Sequence, residues 1–123
     1  MDFKFGIEYW EHSNGFSPVA EFFKELPAEH KKRIGDREDF CEGLSFLELL
    51  RTPYFRKAQG AKDTLWELRY PASHGMNYRA ICLLWQQRVV VLVMFKGSGS
   101  GGKIRHYFQQ AIERAEDWKR RYP

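Results

Sequence analysis

Arg69, Arg79, Lys96, Lys103, Arg105, His106 and Tyr107 are the side chains of this 123-residue sequence best suited to chemistry on an anion. Guanidinium groups donate in a planar fork and stay charged, which fits the oxygens of a phosphate. A histidine or tyrosine beside them can move a proton, an effect of about 10²–10⁴-fold where a reaction needs it. His106 is the first candidate, because imidazole titrates near neutrality, and His74 is the second. No pair of carboxylates is spaced for acid–base work. Each candidate also has a plainer reading. Arg69 lies two residues from Glu67 on one strand face, where the carboxylate can simply neutralise it. Arg79 can brace a sheet through backbone carbonyls, and Tyr107 can close the last helix against the core.

The elements that must position these groups run from residue 65 to residue 96. Leu-Trp-Glu-Leu-Arg-Tyr, Tyr-Arg-Ala-Ile-Cys-Leu-Leu-Trp and Val-Val-Val-Leu-Val-Met-Phe-Lys are rich in β-branched and aromatic residues. A Pro/Ser/Gly/Asn break and a Gln-Gln-Arg turn separate them, so they predict three consecutive antiparallel strands. Trp66, Leu68 and Tyr70 fall on one face, and Leu65, Glu67 and Arg69 on the other.

Upstream, the alternation over Phe3–Tyr9 predicts a half-buried strand that joins this sheet. Ser17-Pro18 predicts a helix start. Val19, Phe22, Phe23 and Leu26 then supply an amphipathic stripe, which Pro27 ends. A second helix is expected from about Ala28 to Glu42, with Ile34, Arg37, Cys41 and Leu44 as a weaker stripe and Gly43 as its stop. Lys31, Lys32 and Arg33 stand near Asp36, Glu38 and Asp39, so they read as a solvated face. Phe46, Leu47, Leu49 and Leu50 continue the core. Tyr54–Thr64, with Arg56, Lys57 and Lys62, reads first as a solvated basic loop and second as one that can touch phosphates. A final helix is expected from about Arg105, with Phe108, Ala111, Ile112, Ala115 and Trp118 inward. The fold class is α+β, β-α-α-β-β-β-α, with the helices on one side of a mostly antiparallel sheet and residues 1–123 forming one domain.

Charge is divided unevenly. Residues 1–50 hold 6 Lys/Arg against 11 Asp/Glu, and residues 51–123 hold 14 against 5. A half-chain this basic suits a polyanion, nucleic acid first. There is no apolar run long enough to span a membrane and no signal-peptide core at the start, so the expected compartment is the cytoplasm. Cys41 and Cys82 sit in apolar contexts and read as buried free thiols. No His/Cys spacing implies zinc, and no cofactor is expected.

Gly97-Ser-Gly-Ser-Gly-Gly-Lys103 matches the opening of a phosphate-cradling loop. However, Ile104 stands where a hydroxyl would bind magnesium. Only about 20 residues follow, too few for the rest of an NTPase. The run reads instead as a flexible loop, natural or engineered.

Several short motifs in a fixed order complete the reading. A helix ends in Leu26-Pro27. Leu65-Trp66-Glu67-Leu68-Arg69 follows, then Tyr78-Arg79, an apolar strand ending in Phe95-Lys96, and a helix with Ala111-x-x-Arg114-x-x-Asp117. This order resembles the RelE/ParE superfamily of bacterial toxins, particularly its HigB-like, phage-derived branch. The resemblance implies the toxin of a type II toxin–antitoxin system, with a cognate antitoxin as partner. Many such relatives cleave mRNA in the ribosomal A site and so inhibit translation, whereas the ParE branch targets DNA gyrase. On the first reading this is a metal-independent endoribonuclease that engages ribosome and mRNA. Arg79, Arg69, His106 and Tyr107 would be catalytic, and Lys57, Lys62, Lys96, Lys103 and Arg105 would contact RNA. The alternative is a non-catalytic binding module of the same superfamily, a gyrase inhibitor or an antitoxin-binding domain. Relatives usually carry a lysine-rich segment with a proline where this chain has Gly97–Gly102, a departure that would weaken RNA contact and could inactivate the chain.

Overall fold

The computed structural model describes residues 6–58, 65–70, 77–97 and 101–123, with the backbone alone at 101–103. Phe3 and Phe5 of the expected first strand lie outside the described residues, and that strand, β1, is seen from Gly6 to Tyr9.

The helices begin where side chains can satisfy their first N–H groups. Ser17 is extended, its hydroxyl accepts from the Ala20 amide at 3.1 Å, and Pro18 opens α1 (Pro18–Lys24). Val19 is buried, and Phe22, Phe23 and Leu26 pack against the same core. The second helix, α2 (Ala28–Glu42), stops at Gly43 as the sequence predicts. On its surface Lys32 pairs with Asp36 and Arg33 with Glu29, one turn apart. Exposed pairs of this kind contribute only about 0.3–0.5 kcal/mol each, so they mark a solvated face. A third helix, α3 (Phe46–Arg51), was not evident as an element in the sequence. It starts with a capping box between Ser45 and Glu48 and buries Leu49.

The described strands form one five-stranded sheet in the order β1-β5-β4-β3-β2. The expected meander is present as β3 (Leu65–Arg69), β4 (Tyr78–Trp85) and β5 (Arg88–Lys96), each antiparallel to the next. Gln86 and Gln87 join β4 to β5 with φ of 51° and 65°, the left-handed pair that a two-residue hairpin turn requires. The Gln86 amide donates to the carbonyls of Tyr122 and Pro123, which holds this turn against the end of the last helix. β1 lies parallel to β5, with Gly6 opposite Arg88 and Tyr9 opposite Val91. The stretch read as a basic loop contributes an edge strand, β2 (Phe55–Lys57), antiparallel to β3.

The helices do not share one side of the sheet. α1, α2 and α3 cover one face, where Val19, Ile34, Cys41 and Leu49 meet Leu68, Tyr70, Tyr78, Ala80, Val89 and Val91. The last helix, α4 (Gly101–Arg121), covers the other through Ala111, Ala115 and Trp118 against Leu65, Ile81, Leu83, Val90 and Phe95. Burial on both faces accounts for the unbroken apolar run of β5. Because α4 begins at Gly101, ahead of the expected Arg105, Gly101 and Gly102 belong to it. Both cysteines are free and buried.

A bulge adjusts β5 to these two layers. Ile81 pairs with Val93 and Cys82 with Val91, so Leu92 is the extra residue. Leu92 and Val93 consequently both join the α4 core. The Leu92 carbonyl is met from α4 by Arg114 Nη1 at 2.7 Å. The Arg114 guanidinium also lies 4.7 Å from the Trp10 ring, and burial lowers its pKa.

Under α2 the core is not wholly apolar. The Tyr9 hydroxyl donates to Glu38, which is 8% exposed. Burial pushes the Glu38 carboxyl up to about 7, the Tyr9 bond opposes that, and the charges of Glu42 and Asp39 add to it. Burial likewise raises the Cys41 thiol to about 11 and the Tyr70 hydroxyl well above its ordinary value.

Candidate functional site

Four charged side chains converge on the α4 side of the sheet. Leu65, Ile81, Leu83 and Phe95 point into the α4 core. Strand alternation therefore places Glu67, Arg69 and Arg79 on that same side. Register brings them together: Arg69 pairs with Arg79, Arg79 with Phe95, and Arg56 with Glu67. Arg69 Nε donates to Glu67 Oε1 at 2.9 Å. Arg56 Nη2 and Arg79 Nε approach the same oxygen at 3.6 and 3.8 Å, as ion pairs beyond hydrogen-bond reach.

The backbone that carries Arg69 is held from both sides. Its amide donates to the Tyr54 carbonyl at 2.7 Å, and its carbonyl accepts from Arg37 Nη1 at 2.6 Å. Arg37 reaches it from α2 with its guanidinium 3.4 Å from the Tyr54 ring centre. Arg79 sits near the start of β4, paired with Arg69 of β3 on one side and Phe95 of β5 on the other.

The first turns of α4 close one end of this group. The Tyr107 ring stacks on Phe95 at 4.3 Å and 11°, which bears out its reading as a brace for the helix. His106 is exposed, 6.0 Å from Tyr107 between ring centres. Arg105 is exposed one residue earlier. The fold thus gathers Arg69 and Arg79, and Tyr107 stacks on Phe95, the strand partner of Arg79, with Arg105 and His106 exposed just before it on α4. Lys57 and Lys96 are exposed opposite Trp66 and Tyr78, residues of the other face. Lys62 and His74 lie outside the described residues, as does the side chain of Lys103.

Two members of the cluster had not been singled out as site residues. Arg56 was read with a loop, because a three-residue strand shows no periodicity of its own. Glu67 was read only as a neutraliser of Arg69, whereas it faces three arginines. Among the described residues, no three His, Cys, Asp or Glu side chains gather in a way that could hold a metal ion. A cleft of about 380 Å³ opens at the far end of α4 between Trp85, Trp118 and Tyr122, and it contains none of the candidates. Among the described residues, the candidate site is a charged face of the sheet.

A five-stranded, mostly antiparallel sheet with four helices is an α+β architecture consistent with a RelE-like fold. The chain belongs to the phage-derived protein Gp49-like family (DUF891), whose model matches residues 21–118. That family is a RelE/HigB-type toxin family of toxin–antitoxin systems, and it implies an antitoxin as partner. Comparison with curated proteins gives no match. No helix among the described residues is long and apolar enough to cross a membrane.

Proposed function

We propose that this chain is a HigB-like toxin, a cytoplasmic endoribonuclease that cleaves mRNA on the ribosome and so inhibits translation. The observation that carries the reading is the convergence of Arg56, Arg69 and Arg79 on one sheet face, beside Tyr107 and the exposed His106. An open cationic face suits a polymer that arrives already held by a larger assembly, since it need not enclose its ligand. The 2′-hydroxyl would lose its proton to solvent as its oxygen attacks phosphorus, and Arg79 and Arg69 would neutralise charge on the phosphorane. His106 would give a proton to the departing 5′-oxygen. Lys62, Lys103 and Arg105 would contact neighbouring phosphates, whereas Lys57 and Lys96, on the opposite face of the sheet, would reach only RNA that passes round its edge. A cognate antitoxin would cover the basic half of the chain with acidic and apolar residues.

The test is translation in a cell-free system with the purified chain, read by primer extension. The expected result is cleavage within the message that requires translating ribosomes. The same assay belongs on a variant with a lysine-rich segment at 97–102. Cleavage by that variant alone identifies the Gly/Ser run as the lesion. If neither protein cleaves, the function passes to the non-catalytic alternative.

A further inference from the structure

The arginines of the sheet face meet around a single carboxylate. Glu67 is 12% exposed and Arg79 is 17% exposed, so their contact is largely shielded from water. Arg69 and Arg79 are directly opposed across β3 and β4. Like charges in that position repel, and without a shared anion the guanidiniums would swing apart. Glu67 holds them together, yet among the described residues it hydrogen-bonds only Arg69. Among the described residues, Arg79 Nε is buried with no hydrogen-bond partner, and Arg56 makes only a long ion pair. The cluster therefore retains donors that one carboxylate does not use. A phosphate carries more acceptor oxygens, and guanidinium forks bind it as they bind a carboxylate.

From this we infer that Glu67 is the built-in counter-ion of a phosphate subsite formed by Arg56, Arg69 and Arg79. In the free protein it positions the three guanidiniums, and an incoming phosphate competes with it for them. Arg56 is then a binding residue and Glu67 a positioning residue. The assignment of that phosphate to RNA rests on the toxin reading above, whereas the anion subsite does not depend on cleavage.

The experiment is calorimetric titration of the full chain with inorganic phosphate at constant ionic strength. Glu67→Gln removes the competing charge at nearly constant shape and should bind phosphate about tenfold more tightly, the size of one charge-assisted contact. Glu67→Asp should fall back towards the parent affinity, and Glu67→Gln combined with Arg79→Ala should lose the gain. On translating ribosomes, Glu67→Gln should lower kcat and KM together, since RNA binds but the arginines are no longer oriented. If Glu67→Gln fails to fold in chloride, phosphate at the same ionic strength should restore its circular dichroism. The proposal is overturned if Glu67→Gln binds phosphate no more tightly than the parent, if neither protein binds measurably, if the gain survives in the double variant, or if phosphate does not restore an unfolded variant. Tighter phosphate binding by Glu67→Gln, with both the parent chain and the variant rebuilt at 97–102 inert on ribosomes, would remove the nuclease reading and leave the subsite. Cleavage that depends on Arg79 with unchanged phosphate affinity would do the reverse.

Discussion

Arg69 and Arg79 face each other across the β3–β4 ladder. Two like charges occupy the position where a sheet tolerates them least, which is a feature of a binding face more than of a scaffold. Substitution of Arg79 should therefore spare the fold and damage the activity. Arg79→Ala is expected to lower mRNA cleavage on the order of 10²–10³-fold. Lys32→Ala, which only breaks an exposed pair with Asp36, should leave the rate close to the parent value. Primer extension on translating ribosomes, with circular dichroism as the control for folding, makes the comparison. A parent-like rate in Arg79→Ala would return this residue to a structural role.

His106 and Tyr107 should separate by chemistry. His106 is exposed on α4, whereas the Tyr107 ring is committed to Phe95. His106→Ala is expected to reduce cleavage by about 10²-fold or more. Tyr107→Phe should cost less than about tenfold in rate, while Tyr107→Ala should cost roughly 1–2 kcal/mol of stability through the lost stack. Rates and urea unfolding on the three variants decide it. A greater loss of rate in Tyr107→Phe than in His106→Ala would give the proton transfer to the tyrosine.

Glu38 makes stability depend on pH in the opposite sense to a surface carboxylate. Its pKa is 4.5 ordinarily and about 7 in the fold, so the folded state holds the proton more tightly. Its contribution is fully present below 4.5 and is lost as pH rises through 7, a change of about 3 kcal/mol. Glu38→Gln should flatten that slope and be the more stable protein at about pH 8. Thermal unfolding of both proteins across about pH 5 to 8 gives the difference directly, and parallel curves would exclude this role for Glu38.

Much of this architecture was legible wherever an element was long enough to repeat its pattern. The α2 limits followed from Pro27 and Gly43, and the meander from three β-rich runs. The six-residue α3 and the three-residue β2 were too short for a period to emerge. The second helical layer was missed although its sign was present: β5 is apolar at every position from Val89 to Phe95, which only burial on both faces allows. At the site, Arg69 and Glu67 were legible as neighbours along one strand. Arg56 became a partner of Glu67 only through strand register, which no local pattern in residues 54–64 encodes.

The β5 bulge should depend on Arg114. Its guanidinium is the donor that meets the Leu92 carbonyl at the extra residue. Arg114→Leu keeps apolar bulk but leaves that carbonyl unpaired, at a cost of about 1–3 kcal/mol. Urea unfolding should show a lower midpoint with an unchanged slope. A midpoint equal to that of the parent would mean that the bulge is held by packing alone.

The parallel pairing of β1 with β5 has a consequence for the order of assembly. Gly6–Tyr9 is made about 80 residues before its strand partner, Arg88–Val91. The two-residue hairpin can bring β4 and β5 together quickly, whereas docking β1 means closing a loop of about 80 residues, an entropic cost met only once. While the chain is still emerging, the apolar residues of α1 and α2 have no completed sheet to cover. The growing polypeptide therefore passes through a stage in which its N-terminal third is exposed to chaperones and to any early-binding partner, and the arginine face takes shape only after that stage has ended.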